Sequence, residues 1–456
     1  MYRMLKSRHW SALFIALASV VLTLPSSAQV SEDEAAELGK TLTPIGAEQK
    51  GNGSTIPEWT GGLTEPPANY QTGTHLIDPF PDDKPLFTIT QDNLALYKNK
   101  LSVGQLTMFK QHPKSYRMVV YPSRRTAALP QSVYADATYN ATHAKLTDGG
   151  NGVTDFRGYV PFPIPKNGLE VIWNHILRYR GGSSKRSIAQ VITQSNGDFH
   201  HVLLEEEVVY PENMDGLEGI ENMLVFFKQS VTEPGRLTGN VLLVHDTVNQ
   251  VQEPRKAWIY NAGQRRVRRA PQVAYDGPGT SSDGLRTSDN FDMYNGAPDR
   301  YDWKLVGKQE LYIPYNNYKL ASNAYKYKDI IRPGHMNPDL LRYELHRVWI
   351  VEATLKEGQR HIYTKRTFYI DEDSWQIAVV DHYDSRGEFW RLSEAYGMQV
   401  YYADIPLKSA EGYYDITNNR YLVIGLQNEV SGPTEYGHRG KMVDFTPAAL
   451  RRSGRR

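Results

Sequence analysis

The chain has 456 residues, and its 52 Lys and Arg residues nearly balance its 51 Asp and Glu residues. Because there is no basic excess, the composition does not favour a nucleic-acid-binding protein. The chain has no cysteine, which excludes a disulfide framework, thiolate catalysis, cysteine-ligated zinc, iron–sulfur clusters and acylation of an N-terminal cysteine. The fold must therefore be stabilised by an ordinary hydrophobic core, for which the chain is long enough.

The first residues have the three parts of a secretory signal peptide. A basic start precedes an apolar run at residues 13–24, and Ser26-Ser27-Ala28 supplies small residues where signal peptidase reads. The apolar run is shorter than the roughly 20 residues of a membrane span, and a cleavage site follows it. We expect residues 1–28 to be a signal peptide cleaved after Ala28, which places the mature protein in the periplasm.

Residues 29–167 form a predicted N-terminal extension that is irregular and partly helical. Gly, Pro, Thr and Asn dominate residues 51–85, which is typical of extended loop. The prolines of residues 160–165 also require extended backbone, because proline fixes its own φ and disfavours helix in the residue before it. Helices are predicted at residues 32–38, 91–110 and 132–146.

From residue 168 the pattern becomes one helix followed by strands of period two. The helix is predicted at residues 169–179, where Ile172, Trp173 and Ile176 fall on one side. Hairpins follow, with turns such as Asn196-Gly197 that tolerate positive φ. The predicted strands are 186–194, 199–209, 224–231, 237–245, 256–260, 265–269, 348–355, 361–370, 375–383 and 388–401.

Successive hairpins predict an antiparallel meander, and a long meander curls until closing or half-closing hides its edges. The expected fold class is therefore mainly β with helices. Residues 274–292 interrupt the meander and, being rich in Gly, Ser and Asp, are predicted to be a surface loop. Residues 431–456 are predicted to be a C-terminal basic tail, whose disordered end contains Arg451, Arg452, Arg455 and Arg456.

Long and unusual segments resemble a known family. They are residues 159–175, 257–261 with 265–271, 296–303 and 366–375. Together they resemble the proteobacterial family called domain of unknown function 1329, and the resemblance covers nearly the whole mature chain. That family is similar to LolA/LolB-type periplasmic lipoprotein carriers.

The resemblance implies a curved antiparallel half-barrel at residues 168–430, whose hollow takes acyl chains under a helical lid. It also implies a membrane partner, either an RND-type lipid exporter or an outer-membrane protein. This chain departs from simple LolA proteins by its long N-terminal extension, which leaves open whether the hollow is free or already filled.

Large aromatic side chains are candidates for the apolar wall of such a hollow. A single Trp is more often core than cavity wall, but several together would make an apolar surface for a ligand. The candidates are Trp173, Trp258, Tyr260, Trp349, Trp375 and Trp390.

A basic cluster flanks Val267 on a predicted strand and consists of Arg265, Arg266, Arg268 and Arg269. Two interpretations are equally supported. The arginines contact an anionic head group or an acidic partner, or they protect an edge strand against pairing with another chain.

Motifs of common hydrolases and nucleotide-binding proteins are absent, and no cofactor is expected. Paired carboxylates leave no motif, so Glu344, Glu352 and Asp381 stay candidates for catalysis. Glu344 and His346, with His361 and His382, would suit an acid–base or metal site. An ordinary sheet face with cross-strand pairs is the favoured interpretation of these residues.

A second acidic cluster contains Asp289, Asp292, Asp299 and Asp302. Calcium prefers such oxygens, but the spacing matches no calcium loop. These carboxylates are therefore interpreted as caps of turns and helix starts, and no metal is expected.

The patterns favour a periplasmic binding or carrier protein for a lipid-like or other apolar ligand, working with an envelope export system and without catalysis. One alternative is a scaffold subunit of an envelope complex, with a self-filled cavity. Another is a carboxylate-dependent hydrolase of envelope glycan or ester.

Overall fold

The computed structural model describes residues 30–219 and 221–454. The expected signal peptide with its cleavage site lies outside these residues, as do Arg455 and Arg456. Among the helices that are described, none is both long enough and apolar enough to cross a membrane.

Helices are few and short, and most of them lie in the N-terminal part of the chain. They are α1 (Glu32–Ala35), α2 (Val103–Gln111), α3 (Gln131–His143), α4 (Gly168–Ile176), α5 (Tyr318–Ala321), α6 (Tyr327–Ile330) and α7 (Leu450–Ser453).

Strands make up most of the regular structure. They are β1 (Phe87–Ile89), β2 (Met118–Val120), β3 (Lys145–Leu146), β4 (Val153–Thr154), β5 (Ser184–Thr193), β6 (Phe199–Val209), β7 (Met214–Asp215), β8 (Met223–Glu233), β9 (Val241–Thr247), β10 (Lys256–Asn261), β11 (Arg266–Arg269), β12 (Tyr301–Pro314), β13 (Tyr343–Leu355), β14 (Lys365–Asp371), β15 (Ile377–Tyr383), β16 (Phe389–Val400), β17 (Ile405–Asp415), β18 (Arg420–Leu426), β19 (Glu435–Tyr436) and β20 (Gly440–Lys441).

One large sheet dominates the described residues. Its strand order is β1-β2-β13-β14-β15-β16-β17-β18-β5-β6-β8-β9-β10-β11, with β12 paired to β13 and β19 paired to β5. Neighbouring strands are antiparallel except β2 and β13. The sheet is mixed and does not close into a barrel in the part of the chain that is described. The prediction of a mainly β fold is confirmed, whereas the half-barrel shape stays a prediction.

The predicted hairpins are present with shifted ends, but the short strands of two or three residues and three longer strands were not predicted. β12 is interrupted by a register shift between Leu305 and Gly307, which hides its period. β17 and β18 follow the last predicted strand and complete the sheet. β18 pairs with β5, for example through Leu422 and Ile192, and this pairing joins the two halves of the meander.

The N-terminal helices form where local capping favours them. The predicted helix at 91–110 is instead two 3-10 turns followed by α2, because Ser102 caps the helix by accepting from the backbone N–H of Gln105. α4 ends at Ile176, three residues before the predicted end. The helix predicted at 132–146 corresponds to α3.

Alternate residues of the large sheet face two different layers. One face packs against α4, whose Ile172 lies in a core with Val351 and Phe368. The other face packs against α2, whose Met108 lies in a core with Leu392. We call these the α4 face and the α2 face.

The last described residues of the chain are packed against the sheet. β19 pairs with β5 and β20 pairs with β7, while Phe445 and Leu450 are buried in one cluster with Tyr260. The expectation of a disordered end is wrong for Arg451 and Arg452, which lie in α7, because Leu450 anchors that helix in the cluster. The domain boundaries themselves stay predictions.

Candidate functional site

A cavity lies on the α4 face of β5, β6, β8 and β9. The space open to the centre of a water-sized sphere is about 130 Å³. The register places Arg186, Glu206, Gln229 and Leu242 side by side on these four strands, and all four residues line the cavity. Since every second residue of a strand points to the same face, the strands present one continuous wall.

Much of this wall is apolar. The apolar side chains come from the strands, from the end of α4 and from the segment that covers the cavity. They include Ile176, Val208, Phe227, Val244, Phe291 and Leu407.

Residues 273–295, the covering segment, close one side of the cavity. Gln190 of β5 fixes this segment by donating from Nε2 to the carbonyl oxygens of Thr280 (3.1 Å) and Ser281 (2.7 Å). Arg286 and Asp292 of the segment are buried. The expectation of a surface loop at 274–292 is therefore wrong for these residues, because hydrogen bonds and ion pairs compensate the burial of its polar groups.

Charged groups of the wall are mostly paired. Arg186 Nη2 lies 2.7 Å from Glu206 Oε2. Arg255 Nη2 lies 2.5 Å from Asp246 Oδ2. Such pairs keep the charges of the wall compatible with burial.

Asp292 joins three cations at the end of α4. Its carboxylate lies 2.5 Å from Arg178 Nη2, 2.6 Å from Arg180 Nη1 and in contact with Lys408 Nζ. Burial alone would raise the pKa of this carboxyl, but Arg178, Lys408 and Arg180 hold its pKa well below the usual value. His175 of α4 also lies 2.8 Å, through Nε2, from the Asp292 carbonyl oxygen, so the covering segment is fixed to the helix.

Arg286 differs from the other cations of the wall. Arg286 is 3% exposed. No carboxylate oxygen of the described residues lies within 4.0 Å of its guanidinium. Nη1 donates to the carbonyl oxygen of Thr287 at 3.2 Å. Nε has no hydrogen-bond partner among the described residues.

Two of the predicted aromatic residues lie on the face opposite to the cavity. Trp258 pairs in register with Leu243, and Tyr260 with Val241, whereas the cavity takes Leu242 and Val244. Tyr260 is buried under the C-terminal segment, in the cluster of Phe445 and Leu450. Because successive residues of a strand point to opposite faces, Trp258 and Tyr260 point away from the face that carries Leu242 and Val244.

The other four aromatic residues are also outside the cavity wall. Trp173 and Trp375 are fully buried core residues, and their indole N–H groups donate to Gly150 and Ile45 carbonyl oxygens. Trp349 stacks on Trp375, and Trp390 packs on Tyr363. Ligand contact by the six predicted residues stays a prediction, and the cavity wall is formed by other residues.

The predicted basic cluster is exposed at one edge of the sheet. Arg266, Arg268 and Arg269 belong to β11, the last strand of the sheet order, and Arg265 lies in the preceding turn with φ of 53°. All four side chains are exposed. This position suits both interpretations, a docking surface and protection of an edge strand.

The carboxylates proposed for catalysis are engaged in separate structural contacts. Glu344 lies 2.6 Å from Arg342 Nε and 3.1 Å from His346 Nε2. Glu352 pairs with Lys365 at 2.7 Å. Asp381 accepts from Ser102 Oγ at 2.9 Å at the start of α2.

His346 lies beside Glu344 as expected, but the other two histidines lie elsewhere. His361 precedes β14 and contacts Asp289 Oδ2 at 2.9 Å instead of lying on a neighbouring strand. His382 Nε2 lies 3.0 Å from Ser393 Oγ. Because His382 follows Asp381 directly in β15, their side chains point to opposite faces.

One group among the described residues has the ligand types and proximity that a metal ion requires. His346, Asp371 and Asp373 each offer an atom within 4.8 Å of the others. Arg125 already holds Asp373 through hydrogen bonds of 2.9 Å and 2.6 Å, and burial raises the pKa of Asp371. Asp289 and Asp292, of the predicted acidic cluster, pair with Arg366 and Arg178. That the protein needs no metal stays a prediction.

Comparison with known proteins gives matches over most of the chain. The family model described as Protein of unknown function (DUF1329) matches residues 88–451. An uncharacterized protein of Pseudomonas aeruginosa is 54% identical over 441 residues, which are 96% of this chain and 97% of the relative.

Solved structures give weaker matches. A domain from Vibrio parahaemolyticus described as outer membrane lipoprotein-sorting has 13% identity and a TM-score of 0.43, covering 62% of this chain and 98% of its own. A DUF1329 family protein from Desulfovibrio piger has 15% identity and a TM-score of 0.41, covering 59% and 91%. A LolA superfamily protein from Nitrosomonas europaea has 10% identity and a TM-score of 0.35, covering 60% and 93%.

The family match and the high identity to the Pseudomonas relative confirm the resemblance seen in the sequence: the chain belongs to the DUF1329 family.

Proposed function

We propose that this protein is a periplasmic carrier that binds a lipid-like ligand in the cavity between β5, β6, β8, β9 and the covering segment. The observation that supports this most directly is the wall itself. Apolar side chains such as Phe227, Val244 and Leu407 line the cavity, as they do in most small-molecule binding sites. No covalent chemistry is required of the protein.

The physical basis of binding is burial of apolar surface. Removing apolar area from water contributes roughly 25 cal/mol per Å², so an acyl or sterol-like chain gains most where the wall is apolar on several sides. The cavity opens to solvent, which gives a ligand a route in and out. Its covering segment is fixed by Gln190 on one side and by Asp292 on the other.

A hydrolase is a weaker candidate. Glu344, Glu352 and Asp381 are each paired with other groups, and none of them lines the cavity. A membrane partner, such as an exporter or an outer-membrane protein, belongs to the same proposal. The exposed arginines of β11 are the surface that we propose for it.

Native mass spectrometry with lipid extraction, on protein purified from the periplasm, tests the carrier function. We expect a copurifying lipid in the native protein and its loss in Leu242→Asp, which places a charge in the apolar part of the wall. Leu96→Asp is the matched control, because Leu96 is 79% exposed and lies in the N-terminal extension.

Circular dichroism of both variants shows whether the fold is retained. If the native protein carries no lipid and takes up none of a panel of added lipids, the proposal fails. The scaffold alternative would then be the better one, and the search for a protein partner would begin at β11.

A further inference from the structure

Arg286 is a buried cation without a carboxylate counter-ion among the described residues. The cavity wall contains five cations, Arg180, Arg186, Arg255, Arg286 and Lys408, and three carboxylates, Glu206, Asp246 and Asp292. Four of the cations have a carboxylate within 4.0 Å, and Arg286 has none among the described residues. A buried charge without a partner is costly, so natural structures rarely keep one without a role.

The surroundings hold this guanidinium in one position. It lies over Phe291, 5.2 Å from the ring centroid, and 5.9 Å from the Tyr413 ring. Gly279 approaches it so closely that a Cβ at position 279 would lie 2.7 Å from Cζ and from Nη2. The backbone at Gly279 therefore leaves room for the guanidinium, which is preorganised for binding.

Arg286 also lies next to the apolar part of the wall. Phe291 contacts the guanidinium and lines the cavity, together with Phe227 and Val244 of the strands. An anion bound at Arg286 would thus have an apolar surface beside it. Guanidinium groups bind carboxylates and phosphates through strong, charge-assisted hydrogen bonds, for which Nε is one donor still without a partner.

We infer that the ligand of this cavity is an anionic amphiphile, whose carboxylate or phosphate is bound by Arg286 while its apolar body lies against the strands. The inference rests on the proposed function and names the chemical class of its ligand. An anion supplied by the ligand would provide the counter-ion that the described residues do not supply to Arg286.

The test compares two fluorescent probes with the same acyl chain, one ending in a carboxylate and one in an alcohol. Binding is measured for the native protein and for Arg286→Met, Gly279→Ala and Arg360→Met. Thermal unfolding of each variant, with and without inorganic phosphate, gives a second readout that needs no apolar chain. Arg360→Met is the control, because Arg360 is exposed and does not line the cavity.

We expect the native protein to bind the acid at least roughly tenfold more tightly than the alcohol, as a hydrogen-bonded charge pair provides. Arg286→Met should remove that preference and leave the alcohol affinity within about twofold. Gly279→Ala, which keeps the charge but displaces the guanidinium, should weaken acid binding in the same direction. Arg360→Met should leave both affinities unchanged.

Other outcomes separate this inference from the carrier function. Equal binding of acid and alcohol by the native protein overturns the inference and leaves the carrier function standing. Equal weakening of both probes in Arg286→Met also overturns it, because the residue would then be structural. If neither probe binds, the carrier function fails. If phosphate then stabilises the native protein but not Arg286→Met, the site at Arg286 binds a small free anion. If phosphate stabilises neither protein, both the carrier function and the anion site at Arg286 are refuted.

Discussion

The backbone N–H of Gly104 donates to Oδ1 of Asp381 at 2.9 Å, and a Cβ at position 104 would lie 2.5 Å from the same oxygen. Asp381 thereby fixes the first turn of α2 to β15. The two elements are far apart in sequence, so this contact is one of those that hold the N-terminal extension on the α2 face of the sheet.

Gly104→Ala should destabilise the protein although alanine is a better helix former than glycine by about 1 kcal/mol. The added methyl group would also lie 2.7 Å from Leu392 Cδ1, so α2 must shift from the sheet. We expect a loss of about 1–3 kcal/mol in the free energy of unfolding, measured by urea denaturation. Gly235→Ala is the control, since nothing lies within 4 Å of its built Cβ. A Gly104→Ala protein as stable as the native one would contradict the close packing of α2 against Asp381 and Leu392.

His335 should make the stability depend on pH. Burial, with smaller contributions from His112 and Arg117, lowers the pKa of His335 to about 4. The unfolded chain, with a histidine pKa near 6.5, therefore takes up a proton first. The contribution of neutral His335 to the free energy of unfolding is therefore complete above about pH 6.5. It decreases by up to about 3 kcal/mol as the pH falls through 4.

The measurement is the free energy of unfolding of the native protein minus that of His335→Gln, followed from pH 7.5 to pH 4. Taking the difference removes the other titrating groups. We expect the difference to shrink on acidification. A difference that is constant over this range would mean that His335 keeps its ordinary pKa in the folded state.

The contributions of Arg366 and Asp289 to the free energy of unfolding should depend on each other. Arg366 is fully buried, 2.7 Å through Nη2 from Asp289 Oδ2, and lies over the Tyr301 ring at 4.6 Å. Arg366→Met leaves a buried carboxylate without its main partner and should cost about 3–5 kcal/mol. Asp289→Asn added to Arg366→Met should recover part of that loss. A double-mutant cycle in urea checks this, and additive losses would mean that the two residues act independently.

Trp258→Ala should lower stability without changing ligand binding. Trp258 packs against His245 at 4.9 Å on the face opposite to the cavity. We expect a loss of about 1–3 kcal/mol for this half-buried side chain, and probe affinity within about twofold of the native value. If the variant folds but no longer binds the probe, the binding surface lies on the other face of the sheet.

Local patterns predicted the elements that local interactions form. The β5–β6 hairpin follows from Asn196-Gly197 and from the period of two around it, and α4 follows from the spacing of Ile172 and Ile176. These signals lie within a few residues of each other, so their physical basis is present in the sequence itself. β12 was missed because the register shift at Gly307 breaks the period.

The candidate site was predicted less well. The alternation of residues along a strand shows which side chains share a face of the sheet, but it does not show which face another segment covers to form a cavity. Trp258 and Leu242 belong to neighbouring strands, and either face had suitable apolar residues. Only the positions of the covering segment and of the C-terminal segment decide that Leu242 lines a cavity and that Tyr260 is buried in the core.

The sequence by itself determined the mainly β fold class and the strands of the predicted hairpins, because these depend on composition and on short-range order. The family was recognised from the resemblance of long segments such as residues 366–375. The tertiary structure alone decided the pairing of β18 with β5, which joins residues such as Leu422 and Ile192. It also decided that Asp292 is shared by three cations whereas Arg286 has no carboxylate partner among the described residues. The physical reason is that electrostatic pairing depends on distances across the fold, which neighbouring residues in a sequence do not specify.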